Sequence, residues 1–350
     1  MARHVPTVGA SRLGGTVPVR TVPRSRHGIM QKPLDAALIA EAKNFLAGRI
    51  RRTPVEESPA LSEILGVPVW LKLESLQTTG SFKVRGAPFR LSRLTPEEKR
   101  IGIATCSAGN HGKGIAFAGR ELGVASTIYV PSSVDESKYR AMIALGAEVR
   151  ISDFPGYDDT QAWAEQEAAK EGRPFISAFD DHAIMAANGG SLALEVLEDL
   201  PKARTFILPV GGGGLSAGFS FCAKGRASEC LIVGCQHELS PALELSLKTG
   251  AAVTRLPAVE TTAGGVEGGL GKLTFEVLKS RVDRVALVSE AEIFEAVRWM
   301  LDTHQYLIEP SAAVPVAACL AGKAGRLTGP AVIVLTGRNV SMSTLKKILT

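Results

Sequence analysis

Apolar residues recur at helical spacing over 35–49 (DAALIAEAKNFLAGR), and Thr53-Pro54 then breaks the pattern. A strand is expected at Val67–Leu73, followed by a loop rich in Ser, Thr and Gly and a helix from about Phe82. Ile101–Thr105 reads as a buried strand that enters Ser-Ala-Gly-Asn-His-Gly, after which an apolar helix runs to Leu122. The pattern continues with strand Ser126–Val130, helix Ser137–Leu145 and strand Glu148–Ile151. Later strands are expected at Thr205–Pro209, Leu231–Cys235, Arg284–Val288 and Ala331–Leu335, most of them separated by helices. Alternation of this kind implies an α/β fold with parallel sheets, helices on both faces and right-handed crossovers. Residues 101–172 form a compact βαβαβ pattern, expected as a small domain inserted into a larger one made of 35–100 and 173–350. No internal repeat is visible.

Composition narrows the class. The 350 residues are 45% apolar, 21% charged and 5% aromatic, with 36 Gly and 19 Pro. That excludes a disordered chain and favours an enzyme with many tight turns over an all-β binding module. The five scattered cysteines (Cys106, Cys222, Cys230, Cys235, Cys319) show no CxxC spacing, which argues for a reducing cytoplasm and against a zinc site or disulfide framework. The long uncharged stretch Thr205–Ala223 contains Pro209 and four consecutive glycines, so it reads as strand, loop and helix start rather than a membrane span.

The net charge of +5 is concentrated at one end. Residues 1–34 hold six basic side chains and no acid, which leaves the rest of the chain close to neutral. This arm is expected to be a disordered leader, or to precede a working start at Met30. The body has no basic patch interleaved with aromatics, so nucleic acid is not an expected partner.

Three loops carry chemistry, each at the end of a parallel strand, where ligands bind in such sheets. Gly211-Gly212-Gly213-Gly214 follows a strand and opens a helix, an arrangement that gathers backbone N–H groups on a phosphate. It lacks the Lys-Ser/Thr of a nucleotide P-loop, and Cys235-Gln236 stands where a dinucleotide fold would carry its ribose-binding acid. Lys83 starts a helix, where the positive end of the dipole lowers an amine's pKa and favours its use as a nucleophile. An amine nucleophile and a phosphate cradle together point to a phosphorylated aldehyde held through a Schiff base.

The motifs Ser81-Phe82-Lys83-Val84-Arg85-Gly86-Ala87, Ser107-Ala108-Gly109-Asn110-His111-Gly112 and Gly211–Gly214-Leu215 resemble the fold type II pyridoxal-phosphate enzymes, specifically the serine/threonine dehydratase (ammonia-lyase) family. The resemblance runs from about residue 40 to 346 and implies a tryptophan-synthase-β-like fold, pyridoxal 5'-phosphate as cofactor and a homodimer. It implies that Lys83 carries the cofactor and acts as the base, that Phe82 packs on the ring and that Asn110 meets the ring's 3-hydroxyl. By the same resemblance Gly211, Gly212, Gly213 and Gly214 bind the phosphate, and Thr336 bonds the ring nitrogen. Ser81, Ser107, Ala108, Gly109 and His111 would surround the substrate carboxylate. A hydroxyl at the ring nitrogen leaves the ring a shallower electron sink than a carboxylate would, which suits β-elimination better than transamination.

Departures from the family pattern bear on specificity. Ala108 stands where serine racemases carry a serine, so racemisation is not expected. Gln236 and Ala242 replace the two carboxylates of the family's cation site, so no metal is expected there. Gly264 replaces an Asp near the substrate's β-substituent, and Gly265, Gly268 and Gly269 are expected to add room. Arg338 replaces a common Gly and would add a cation beside the ring, favouring an acidic substrate. The chain ends too soon after this motif for the regulatory domain of feedback-controlled relatives. His182, His304 and Glu309 are read as structural.

The expected activity is therefore conversion of a β-hydroxy-α-amino acid to a 2-oxo acid and ammonia, with a bulky substrate such as 3-phenylserine favoured. Threonine, serine or 3-hydroxyaspartate are the nearest alternatives. A β-replacement synthase comes next, and a non-catalytic binding protein on the same fold is the reading from another class.

Overall fold

Strands β6 (Thr205–Pro209), β7 (Leu231–His237) and β9 (Ala331–Val334) are buried at every position, as expected of parallel strands covered by helices on both faces. They form the middle of a six-stranded sheet ordered β1-β2-β9-β6-β7-β8, with β1 at Val55–Glu57, β2 at Val69–Lys72 and β8 at Arg284–Val288. Every neighbouring pair is parallel except β1 with β2. A separate parallel sheet holds β3 (Ile103–Cys106), β4 (Ser126–Val130) and β5 (Glu148–Ile151). The computed structural model describes residues 32–107 and 109–350, so the expected leader up to Gln31 and the Ala108 position lie outside the described residues.

Most strands fall where the hydrophobic pattern places them, and two differences have local causes. The expected strand at Ile101 begins at Ile103, because Pro96–Ile101 is helical and Gly102 turns the chain at φ +85°. The three-residue edge strand β1 carries two exposed glutamates and no apolar alternation, so nothing in its sequence marks it. The stretch 205–223 divides into β6, the glycine loop and the helix Gly214–Arg226, and no helix among the described residues is long and apolar enough to cross a membrane.

The helix Lys83–Ser92 positions the chemistry. One side, through Ala87 and Leu91, packs with Ile115 and Ala118 of the helix Asn110–Leu122. Phe89 on the same helix joins a second cluster with Leu38, Ala187 and Ala217. Beneath it lies a buried ionic group. Arg85 Nη1 and Nη2 donate to Glu195 Oε1 and Oε2, each at 2.8 Å, while Nε and Nη2 donate to Glu74 Oε2 and Oε1 at the same distance. Lys72 Nζ donates to Glu195 Oε2 at 2.9 Å and to the Thr53 carbonyl at 2.8 Å. Burial alone would raise the Glu195 pKa, but Arg85 and Lys72 outweigh it and hold the carboxyl below its ordinary value.

The helix after the glycine loop is seated by close backbone contact. A Cβ on Gly218 would stand 1.9 Å from the Met185 carbonyl oxygen, so only glycine lets this helix reach the π-helical turn Ala186–Gly190.

Candidate functional site

The carboxyl ends of β2, β3, β6 and β9 lead into loops that meet at one cleft of about 1190 Å³. Its lining includes Phe82, Lys83, Ser107, Asn110, the run Gly211–Gly214 and Thr336. Lys83 opens its helix, and its Nζ donates to the Ala178 carbonyl at 2.9 Å. Burial lowers the amine's pKa to about 8, and the charge of Glu309 works in the opposite direction. The amine is therefore far closer to its neutral, nucleophilic form at physiological pH than an ordinary lysine.

Across the cleft, Gly213 has φ +91° and caps the 13-residue helix that begins at Gly214. The unsatisfied N–H groups and dipole of that helix start make an anion site. Thr274 Oγ1 donates to the Gly212 carbonyl at 2.8 Å and steadies the loop. A Cβ on Gly212 would lie 2.2 Å from the Phe179 ring, so the cradle tolerates no side chain at that position.

The third wall is the Ser107 loop. Ser107 Oγ accepts from Gly109 N at 3.1 Å and Gly112 N at 2.7 Å, which folds the loop onto the start of the Asn110–Leu122 helix. His111 Nε2 lies 3.0 Å from Thr105 Oγ1, while its Nδ1 is buried with no partner. Burial, with the Lys83 charge second, keeps this imidazole neutral. Asn110 Oδ1 accepts from Asn339 Nδ2 at 2.7 Å, and Asn110 Nδ2 donates to Glu309 Oε1 at 2.6 Å, leaving one amide hydrogen to give. Asn339 N also donates to Glu309 Oε2, at 3.2 Å.

Several expectations need correction. Arg338 does not reach the cleft: its side chain is exposed and lines a smaller neighbouring cleft with Lys113 and Lys138. The backbone explains this, because Arg338 N is tied to the Gly80 carbonyl at 2.9 Å and Asn339, not Arg338, turns inward. Ser81 pairs with Gly337 in an isolated bridge and is wholly buried beside the cleft, its Oγ without a partner. Extra room exists at Gly264, where a Cβ would meet nothing within 4 Å. It does not extend to the neighbouring glycines. A Cβ on Gly265 would strike Ser311 Oγ at 2.8 Å, one on Gly269 would strike Thr254 backbone at 2.1 Å, and Gly268 sits at φ +94° against Asp158.

Other residues enter the site without a sequence signal. Glu309, read as structural, is on the cleft wall, where burial raises its pKa against the pull of Lys138. Lys138, Tyr157, Phe179 and Glu267 also line the cleft. Gln236 is occupied structurally: its Oε1 accepts from Leu243 N at 2.9 Å and Glu244 N at 3.2 Å, and its Nε2 donates to Val210 O at 3.3 Å. Among the described residues no group of three His, Cys, Asp or Glu side chains could hold a metal ion. A phosphorylated aldehyde fits the cleft on three counts: an amine of pKa about 8, a glycine cradle at a helix start, and the Thr336 side chain on the wall.

Comparison with known proteins agrees with this chemistry. A family model described as "Pyridoxal-phosphate dependent enzyme" matches residues 46–337. The L-threonine ammonia-lyase of Geobacter sulfurreducens is 37% identical over 317 residues, covering 90% of this chain and 78% of that protein. The catabolic L-threonine dehydratase of Escherichia coli is 34% identical over 312 residues, covering 89% and 94%. Among solved structures, the processed form of threonine deaminase isoform 2 from Solanum lycopersicum superposes with TM-score 0.79 at 30% identity, covering 94% of this chain and 98% of that one. Maize serine racemase superposes with TM-score 0.82 at 28% identity, covering 91% and 97%.

Proposed function

The chain belongs to the pyridoxal-phosphate-dependent enzymes, and on that footing we propose that it is a dehydratase converting a β-hydroxy-α-amino acid to a 2-oxo acid and ammonia. The observation that carries this reading is Lys83 facing the glycine loop across one cleft, its amine depressed to a pKa of about 8. Bound there, pyridoxal phosphate supplies the electron sink that acidifies the substrate's Cα–H and lets the β-hydroxyl depart. Lys83 anchors the cofactor and, once displaced by the substrate's amine, takes the Cα proton as general base. Gly211–Gly214 and the helix start behind them hold the cofactor's phosphate. Phe82 packs on the ring, and the hydroxyl of Thr336 meets the ring nitrogen without protonating it.

The Ser107 loop, with the helix start at Asn110, holds the substrate carboxylate, and neutral His111 completes that wall without adding charge. Asn110 keeps one amide hydrogen for the cofactor while Glu309 and Asn339 fix its plane. Ala108 offers no hydroxyl to return a proton to the opposite face of Cα, which favours elimination over racemisation.

The substrate's β-substituent is larger than that of threonine. The open space at Gly264 supports this, and the outward position of Arg338 removes the argument for an acidic substrate that its charge had supplied. Lys138 on the cleft wall supports a second reading, 3-hydroxyaspartate. Release of 2-oxo acid from serine, threonine, 3-hydroxyaspartate and 3-phenylserine tests the proposal. 3-Phenylserine is expected to give the highest kcat/KM. Failure of all four to release a 2-oxo acid would overturn the dehydratase assignment, and a clear preference for serine or threonine would overturn the bulky substrate alone.

A further inference from the structure

A second cleft of about 510 Å³ opens beside the first and shares Asn110, Lys138 and Asn339 with its wall. Lys113, Lys138 and Arg338 line it, and neither Asp nor Glu does. These three cations come from the helix Asn110–Leu122, the helix Glu136–Ala144 and the loop after β9. Both helices begin at the cleft, so their dipoles add positive potential to the side-chain charges.

Little in the protein balances this charge. Lys113 Nζ donates to Asn339 Oδ1 at 3.0 Å, a neutral partner. Burial and the nearby Arg338 charge hold the Lys113 amine below its ordinary range, which reports two cations kept close together. Lys138 and Arg338 make no ion pair among the described residues. Two acids lie near. Asp135 caps the Glu136–Ala144 helix through Ser137 N, and Glu309 is already bonded by Asn110 and Asn339. Convergent, uncompensated cations in a concave site are the arrangement that takes up an anion.

We propose that this cleft binds a small multivalent oxyanion, distinct from the phosphate cradle at Gly211–Gly214. Its chemistry fits a free phosphate-type ion or the distal carboxylate of an acidic ligand seated in the main cleft.

The test uses cofactor-loaded enzyme, free cofactor removed, with inorganic pyrophosphate as the probe in calorimetry. Wild type is expected to take up one pyrophosphate per chain. Arg338→Gln and Lys113→Gln are each expected to bind it about fivefold more weakly, the size of an exposed ion pair. Arg338→Lys should recover most of the loss, and the cofactor absorbance of each variant reports that the main site is intact. A second arm separates the sources. If a substrate carboxylate uses the cleft, Arg338→Gln raises KM for 3-hydroxyaspartate and leaves that for threonine unchanged. If a free ion uses it, pyrophosphate binding survives saturation with either amino acid. No uptake by wild type, or equal affinity in wild type and the Lys113→Gln/Arg338→Gln double variant, overturns the proposal.

Discussion

Arg85 and Glu195 lie 110 positions apart in the chain yet form a two-pronged ion pair, both terminal guanidinium nitrogens donating at 2.8 Å to the two carboxylate oxygens. The pair sits under the helix that begins with Lys83, and Arg85 is wholly buried. It fixes the register of that helix against the large sheet, and so the direction in which the Lys83 amine projects.

Removing the guanidinium should therefore be costly. Arg85→Ala leaves Glu74 with no cation and Glu195 with only Lys72, and breaking a buried pair from one side typically costs about 3–5 kcal/mol. Urea unfolding monitored by circular dichroism should show a loss of that order. A loss under about 1 kcal/mol would mean that water or Lys72 replaces the arginine without difficulty.

The pKa of Lys83 predicts a pH profile for cofactor capture. Attack on an aldehyde needs the neutral amine, and a pKa of about 8 makes about half of it neutral at pH 8, where an ordinary lysine would remain almost wholly charged. The rate at which cofactor-free enzyme takes up pyridoxal phosphate, followed by absorbance, should rise with pH and level off above about 8–9. A rate still climbing past pH 10 would contradict the lowered pKa. Lys83→Ala should lose both the covalent link and the base, with kcat falling by at least about 10⁴, while some cofactor remains bound through the glycine loop.

Glu290 pins the loop that leads to Gly264. Its carboxylate accepts from Thr262 N at 2.8 Å, Thr262 Oγ1 at 2.6 Å and Thr261 Oγ1 at 2.7 Å, and lies 3.1 Å from His237 Nε2. Burial would raise its pKa, but these partners outweigh burial and bring it down to about 2. A carboxyl depressed in the folded state stabilises fully above its unfolded pKa and loses that contribution as pH falls toward the folded value. Stability should therefore decline between about pH 4.5 and 2, by roughly 2–3 kcal/mol from this group. Glu290→Gln should flatten that limb in acid titrations of the unfolding midpoint, and an unchanged limb would assign the acid loss to other carboxylates.

Gly264→Asp should fold normally, because a side chain there meets no atom within 4 Å and the φ is not in the left-handed region. Stability should change by less than about 0.5 kcal/mol. The ratio of kcat/KM for 3-phenylserine over threonine should fall about tenfold as the added carboxylate fills the space, within the range that pocket changes produce. An unchanged ratio would show that the β-substituent lies elsewhere in the cleft.

The chain's local chemistry was legible in its sequence. The alternating pattern marked most strands, and Lys83, Ser107, Asn110 and Gly211–Gly214 stand in contiguous motifs whose turns and helix starts are determined by the residues themselves. Such motifs read directly because a glycine loop or helix N-terminus needs no distant partner to take its shape. Edge strand β1 escaped because three residues with two exposed glutamates show no period. What the sequence could not supply was direction. Glu309 meets Asn110 across 199 positions, Phe179 closes over Gly212, and Arg338 points away from the cleft that its neighbour Asn339 enters. Gly265, Gly268 and Gly269 looked like open space beside Gly264, yet backbone or side chains from residues 158, 254 and 311 occupy it. Where a side chain points, and what fills the space beside it, depends on packing between segments far apart in the chain, and only the folded structure brings those segments together.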